Sequence, residues 1–460
     1  MARKAKKIVV LGGGISGYGS AILAHQKGFD TFLSDAGTIM PLYRERLEEA
    51  GVPYEQGGHT IERILAADCV VKSPGIPDTV PIVKALREQG TPIISEMEFA
   101  YPYLGNARTI CITGSNGKTT TTSLIYKILC DAGYSVALGG NIGESFAHSV
   151  AKGGYDWYVL ELSSFQLDGM FRFRADIAVL MNVTPDHLDR YDYQFDNYLR
   201  SKMRITQNQR TTDAFIFSAD DKEIERGMEM TPVRARLLPF MAHSAMASAA
   251  GDAFADGDGQ LTVRVGNRSL TIDANRMKIK GLHNTYNAMA AALAALAADV
   301  EPSVIEQSIY DFSPIEHRLE PAGVIDGVEY INDSKATNVD SVWYALGAMT
   351  RRTIWIAGGT DKGNNYEVLK PLVREKVAAL VCMGVDNSKL LAAFGDTVEQ
   401  IVSTSSLDEA MEAARRLAKE GDTVLLSPAC ASFDLFKNYE QRGTLFKEWV
   451  RRETEKEGAK

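Results

Sequence analysis

Gly114-Ser115-Asn116-Gly117-Lys118-Thr119 combines the residue types and spacing that grip a polyphosphate. Glycines let backbone N–H groups turn toward an anion, a lysine adds a full positive charge, and the neighbouring hydroxyl can ligate Mg²⁺. The common pattern G-x-x-x-x-G-K-[ST] is not met, because Ile112 stands where its first glycine belongs. Ile110, Cys111 and Ile112 form an apolar run ahead of the loop, and Leu124, Ile125, Ile128 and Leu129 follow at helical spacing. Strand, glycine loop and helix therefore coincide. The competing reading is a plain Gly/Ser turn with an exposed lysine.

Other reactive residues fall at the ends of short apolar runs. Glu161 closes Trp157-Tyr158-Val159-Leu160, where a carboxylate could hold or polarise Mg²⁺. The run Ile177 to Met181 delivers Asn182-Val183-Thr184-Pro185-Asp186-His187, in which His187 stays open between a ligand and a structural role. Tyr198 to Ile205 reads as a helix, and by residue type alone its Lys202 is a snorkelling surface lysine. Gly139-Gly140-Asn141-Ile142-Gly143 and Ser163-Ser164 flank the same strands. Asn284 is expected to cap the long alanine-rich helix that follows it, which leaves Asn287 unexplained.

The elements that must carry these groups repeat three times. Residues 7 to 35 read as strand, Gly12-x-Gly14-x-x-Gly17, helix and a strand ending at Asp35, the dinucleotide fingerprint. Such a unit fits any nucleotide diphosphate, or serves only close helix packing. Ser73-Pro74-Gly75-Ile76-Pro77 is a rigid turn at another strand end, expected to line the same crevice. Leu261 to Ile272 reads as a hairpin turning at Gly266-Asn267. Beyond Pro314, strands end in Asn332-Asp333-Ser334-Lys335-Ala336-Thr337, in Gly358-Gly359-Thr360-Asp361-Lys362 and in Ser427-Pro428-Ala429-Cys430-Ala431-Ser432, alternating with helices such as Ser406 to Lys419. These loops bring Lys335, Thr337, Lys362 and Ser432 to one side, where a dicarboxylic amino acid would be held. The expected fold class is α/β with three domains. They are a Rossmann-like N-terminal domain (1–106), a central P-loop ATPase-like parallel sheet (107–314) and a Rossmann-like C-terminal domain (315–460). The charged tail Arg451 to Lys460 reads as a frayed helix end.

Composition narrows the function. The 460 residues are 45% hydrophobic and 24% charged, ordinary for a globular protein. A net charge of −9 argues against a broad nucleic-acid surface, so an acidic ligand must be held by locally placed cations. Five scattered cysteines without a C-x-x-C pair suggest neither a disulfide framework nor a zinc site, and fit a reducing cytoplasm. Arg3-Lys4-Ala5-Lys6-Lys7 before an apolar run imitates a secretory signal, but the glycines that interrupt the run point to a buried strand. No membrane-spanning segment is expected.

Gly114 to Thr120, Glu161 with Ser163-Ser164, Asn182-x-Thr184-x-Asp186-His187, His317-Arg318 and Asp333 to Asn338 together resemble the Mur ligases, ATP-dependent amino-acid-adding enzymes of peptidoglycan assembly. The shortened phosphate loop is also this family's form. Ser73 to Pro77, Asp333 to Asn338 and Ser427 to Asn438 resemble the branch that adds D-glutamate to UDP-N-acetylmuramoyl-L-alanine. The resemblance implies ATP and Mg²⁺ as cofactors, an acyl-phosphate intermediate, closure of the third domain toward the second, and a monomer. ATP would lie on Gly114, Ser115, Asn116, Gly117, Lys118, Thr119, Thr120, Asn287, Arg318 and Asp333. Thr119, Glu161, His187 and a carbamylated Lys202 would hold metal, and Lys118, Glu161, His187 and Lys202 would be catalytic. Ile15, Ser16, Asp35, Ser73, Asn141 and His187 would hold the UDP substrate. Lys335, Thr337, Lys362, Ser432 and Tyr439 would hold D-glutamate. Relatives commonly follow the aspartate with Thr or Ser and then Arg, whereas Ala36-Gly37 follow Asp35 here. The rival readings are another amide ligase, such as a folylpolyglutamate synthase, an NAD-dependent oxidoreductase suggested by the glycine fingerprint alone, and a non-catalytic nucleotide-binding scaffold.

Overall fold

A computed structural model describes residues 5–186, 188–242, 252–256, 258–313, 316–361 and 363–458. His187 and Lys362 lie outside the described residues. The chain forms two compact units, Met1–Met277 with Asn284–Phe312, and Lys278–His283 with Ser313–Lys460.

The first unit holds two sheets. Five parallel strands, β1 (Lys7–Leu11), β2 (Asp30–Asp35), β3 (Tyr54–Gln56), β4 (Cys69–Lys72) and β5 (Ile93–Ile94), lie in the order β3-β2-β1-β4-β5. The order reverses between β1 and β4, and ligands of doubly wound sheets bind at such a point, outside the carboxyl ends of the strands. The second sheet contains β6 (Arg108–Thr113), β7 (Val136–Gly140), β8 (Trp157–Glu161), β9 (Ile177–Leu180), β10 (Ala214–Ser218), β11 (Arg236–Met241), β12 (Ala253–Ala255), β13 (Gln260–Val265) and β14 (Arg268–Asp273). Their order is β14-β13-β12-β11-β10-β9-β6-β8-β7. Its central strands are buried almost without interruption, as parallel strands covered on both faces must be. The expected hairpin is β13 and β14, antiparallel, joined through Gly266-Asn267 with Gly266 at φ +60°. One apolar cluster runs between the two sheets, from Val10, Tyr18 and Leu33 to Phe146, Leu160 and Leu180.

The second unit is built on β15 (Glu320–Ile325), β16 (Val328–Asn332), β17 (Thr353–Ala357), β18 (Val377–Met383), β19 (Ile401–Thr404) and β20 (Thr423–Leu426), ordered β15-β16-β20-β17-β18-β19. Only β15 runs antiparallel to its neighbour. Apolar clusters cover both faces, one around Trp355 and Phe394, the other around Tyr330 and Phe446. The expected Ser406 helix spans Leu407–Leu417, with the Ser406 hydroxyl accepting from Glu409 N–H as N-cap. Two local expectations are corrected. The alanine-rich helix starts at Leu282, so Asn284 lies inside its first turn and does not cap it. The charged tail belongs to a helix running Tyr439–Gly458, in which Lys456 pairs with the largely buried Glu453, so its first eight residues are an ordered continuation. No described helix is long and apolar enough to cross a membrane.

Candidate active site

The phosphate loop hangs between β6 and the helix Lys118–Asp131, with β9 and β8 on either side of β6. Gly117 precedes the helix at φ +81°, a left-handed conformation that costs any other residue, and an added Cβ there would lie 2.6 Å from Asn287 Oδ1. The loop is fastened to the end of β9. Ser115 N–H donates to the Asn182 carbonyl at 3.0 Å and Asn116 N–H to Asn182 Oδ1 at 2.8 Å. The Ser115 hydroxyl donates to the Thr184 carbonyl and lies 3.1 Å from the Tyr198 hydroxyl. Asn287 is buried, accepts from the Thr121 hydroxyl at 3.2 Å and donates to Asn284 at 3.0 Å. The residue left unexplained by capping thus braces the helix behind the loop.

Lys118 Nζ donates to the carbonyls of Gly114 at 2.8 Å and Ser115 at 2.9 Å, folded onto its own loop. Thr119 and Thr120 are buried in the first turn of the helix. Lys202 overturns the surface reading: only 2% exposed in the helix Phe195–Met203, it donates to Gly114 O at 2.7 Å. Its neighbours come from three other segments, which helical periodicity cannot reveal. Burial, together with the Lys118 charge on the same carbonyl, holds the Lys202 amine well below the usual lysine range, against the opposing pull of Asp186 and Glu161.

Glu161, 2% exposed at the end of β8, accepts from Asn141 Nδ2 at 2.9 Å through Oε1, while its Oε2 is buried without a hydrogen-bond partner among the described residues. An orphaned buried carboxylate oxygen costs roughly 1–3 kcal/mol or more, a cost that a cation or its water removes. Among the described residues no group of three or more His, Cys, Asp or Glu could hold a metal alone. A Mg²⁺ ion sharing its coordination with phosphates and water needs fewer protein ligands than that. Glu161 therefore suits Mg²⁺.

Around the first sheet, Ile15 and Ser16 open the helix Ile15–Gln26 behind the glycine turn, whose Gly17 comes so close to Gly12 O that a Cβ would stand 1.8 Å away. The Asp35 carboxylate accepts from Gly13 N–H and, at 2.7 Å, from Gly37 N–H, so it shapes this turn directly. Ser73 donates to Gly12 O at 3.5 Å, which brings the turn after β4 against the turn after β1, as expected.

In the second unit β16, β20 and β17 are parallel neighbours, so the segments bearing Lys335 and Thr337, Ser432, and Gly358 leave the same sheet edge. Asp333 is buried, accepts from the Ser427 hydroxyl at 2.8 Å, and burial pushes its carboxyl up to about 7. Arg318 Nε is buried without a hydrogen-bond partner among the described residues. Lys335 Nζ sits 5.2 Å from the Tyr439 ring centre, and the Tyr439 carbonyl accepts from the Ser334 hydroxyl. Arg442 was missed from sequence. Fully buried, it donates to Ser334 Oγ at 3.0 Å and Ser334 O at 2.9 Å, with longer contacts of 3.3–3.4 Å to the carbonyls of Gly358 and Cys430. It ties all three loops together, yet in sequence it looks like any arginine of a polar helix.

Three family models match: "Mur ligase MurD-like, N-terminal domain" over residues 6–95, "Mur ligase middle domain" over 112–295 and "Mur ligase, glutamate ligase domain" over 317–430. The chain is 53% identical to the UDP-N-acetylmuramoylalanine--D-glutamate ligase of Bacteroides fragilis over 97% of this chain and 99% of that protein. It is 49% identical to the protein of the same name from Christiangramia forsetii, with the same coverage. Among solved structures it resembles the UDP-N-acetylmuramate-alanine ligase MurC of Thermotoga maritima, with TM-score 0.61, 17% identity and coverage of 97% and 99% of the two chains. It also resembles the MurF ligase of Thermotoga maritima in complex with ADP, with TM-score 0.60, 14% identity and coverage of 93% and 95%. At such identities the structural likeness speaks for the fold alone.

Proposed function

The chain belongs to the Mur ligase family, and from that premise we propose that it joins D-glutamate to UDP-N-acetylmuramoyl-L-alanine at the expense of ATP, as a monomer in the cytoplasm. The division of labour follows the three sheets: UDP substrate at residues 1–106, ATP at 107–314, amino acid at 315–460. The observation that carries the reading is the phosphate loop beside a strand that ends in Glu161, a buried carboxylate with one oxygen unpartnered among the described residues.

A carboxylate does not acylate an amine at neutral pH, because its oxygen is a poor leaving group. Phosphorylation by ATP turns that oxygen into phosphate, and the D-glutamate amine then attacks the acyl phosphate, releasing phosphate and forming the amide. The protein's task is in-line positioning and neutralisation of charge on the γ-phosphoryl oxygens. Backbone N–H groups at the start of the helix Lys118–Asp131 face the phosphates, and Lys118 exchanges its loop carbonyls for phosphate oxygens. Arg318, its Nε without a hydrogen-bond partner among the described residues, would supply a further donor, and Asn287 and Asp333 would each contact the nucleotide. Two Mg²⁺ ions, the first on Thr119 and Glu161 and the second on His187, with carbamylated Lys202 as a further metal ligand, would neutralise phosphate charge. Asn141, fastened to Glu161, orients the UDP substrate with Ile15, Ser16, Asp35, Ser73 and His187. Lys335, Thr337, Lys362, Ser432 and Tyr439 receive the two carboxylates of D-glutamate. Lysine suits carbamylation only as the neutral amine, the form that burial favours at Lys202.

The test is phosphate release with UDP-N-acetylmuramoyl-L-alanine and a panel of amino acids. Turnover should require D-glutamate, with L-glutamate, L-lysine and meso-diaminopimelate inactive, and Lys118→Ala should abolish it. Turnover retained by that variant, or independent of D-glutamate, refutes the reading.

A further inference from the structure

A polar cluster outside the residues assigned above is built on Glu144. Its Oε1 accepts from the Tyr18 hydroxyl and, at 3.2 Å, from Arg46 Nη1. His148 Nδ1 lies 3.5 Å from the same oxygen, and Lys152 Nζ 3.4 Å from Oε2. The Tyr18 ring is fully buried, stacked on Tyr43 at 4.6 Å between centroids and 12° between planes. Although burial alone would raise it, the bonds from Tyr18 and His148 bring the Glu144 carboxyl down to about 2, so it is charged throughout the working pH range.

The two ends of this contact belong to different parts of the substrate path. Tyr18 lies in the first turn of the helix Ile15–Gln26, its N–H bonded to Gly14 O at 3.0 Å, two residues after Ser16. Glu144 closes the turn that carries Asn141: Glu144 N–H donates to Leu138 O at 3.1 Å, and Asn141 N–H donates to Glu161 O at 2.8 Å. A separate buried link ties the helix Glu96–Ala100 to the segment just after Glu144. Glu96 accepts from the Ser145 hydroxyl at 2.5 Å and from Ala147 N–H at 2.9 Å. The helix Ile15–Gln26 is itself seated so closely that a Cβ on Gly19 would stand 1.9 Å from Ser145 Oγ. The helix therefore packs directly against Ser145, next to Glu144.

We infer that Glu144, held by Tyr18, is a positioning residue that fixes the spacing between the start of the helix Ile15–Gln26 and Asn141, and so between two groups of residues assigned above to the UDP-linked substrate. This rests on the proposed ligase reading. A strut of this kind acts on one substrate out of three. Simple glue between the two sheets lowers stability and favours none of them.

The test uses the full chain and steady-state kinetics with each substrate varied in turn. Tyr18→Phe removes one hydroxyl from an otherwise unchanged ring, and Glu144→Ala removes the carboxylate. Misplacing a bound group by about 1 Å can cost about a hundredfold, so a partial loosening is expected to raise KM for UDP-N-acetylmuramoyl-L-alanine about tenfold while KM for ATP and for D-glutamate stays within about twofold. Glu144→Gln, which keeps the acceptor, should recover part of the loss. Unchanged KM for the UDP substrate in Tyr18→Phe, or an equal change for all three substrates, overturns the inference and leaves the ligase reading intact. Absence of D-glutamate-dependent turnover in the unaltered protein defeats both. Should Glu144→Ala fail to fold, Tyr18→Phe alone decides.

Discussion

Replacing Arg442 by methionine should loosen the amino-acid end of the site and weaken the second unit by an amount its surroundings set. The guanidinium makes two short bonds, to Ser334 Oγ and Ser334 O, and three longer ones to Gly358 and Cys430. Burial brings it down only to about 10, so it remains charged at neutral pH. Hydrogen bonds to a charged group contribute about 1.5–3 kcal/mol each, and removing one member of a buried charged network costs about 3–5 kcal/mol because the remaining groups stay buried unpaired. We take the latter range, since methionine fills much of the volume but satisfies none of the three carbonyls. For a unit of this size it corresponds to a fall of roughly 6–20 °C in the melting temperature. Ser334 immediately precedes Lys335, and Cys430 lies two residues before Ser432, so the same variant should raise KM for D-glutamate more than KM for ATP. Calorimetry and initial-rate kinetics on Arg442→Met and Arg442→Lys read both effects, with lysine intermediate because it keeps the charge and loses the planar fork. A melting temperature within about 2 °C of the parent, a shift worth less than about 1 kcal/mol, together with an unchanged KM for D-glutamate, would falsify the clamp.

Two further outcomes follow from the buried ionisable groups. Lys202→Ala should lose most of its activity and regain part of it in buffers containing short carboxylates, which can occupy the place of a carbamate; no recovery over a range of acetate and formate concentrations counts against that modification. Asp333 has its folded value raised to about 7 from an ordinary 3.8, so its contribution to stability is complete below about pH 4 and is lost as pH rises through 7. Asp333→Asn, unable to ionise, should therefore flatten that part of the stability profile, by an amount on the order of a few kcal/mol. Parallel pH profiles for parent and variant, followed by denaturant unfolding, would show that the carboxyl does not titrate in this window.

Much of this protein is legible in its sequence because the features are local. The glycine loop after β6, the two-residue turn at Gly266-Asn267 and the Ser406 cap each depend on a few adjacent residues whose backbone preferences and hydrogen bonds are self-contained. Alternating apolar runs and helices likewise announce parallel sheets, whose strands end in the functional loops. Other residues are decided only by what packs over them. Lys202 reads as a surface lysine until the Gly114 carbonyl, Thr113 and Lys118 close around it. Asn287 acquires its role from Thr121, 166 positions earlier, and Arg442 from carbonyls 12 to 108 positions away. The order β3-β2-β1-β4-β5, which seats the Ser73 turn against Gly12, also lies outside local reasoning. Composition and spacing fix what a segment can become; whether a long cation is solvated, clamped or neutral is an electrostatic outcome of burial, and burial exists only once distant segments have met.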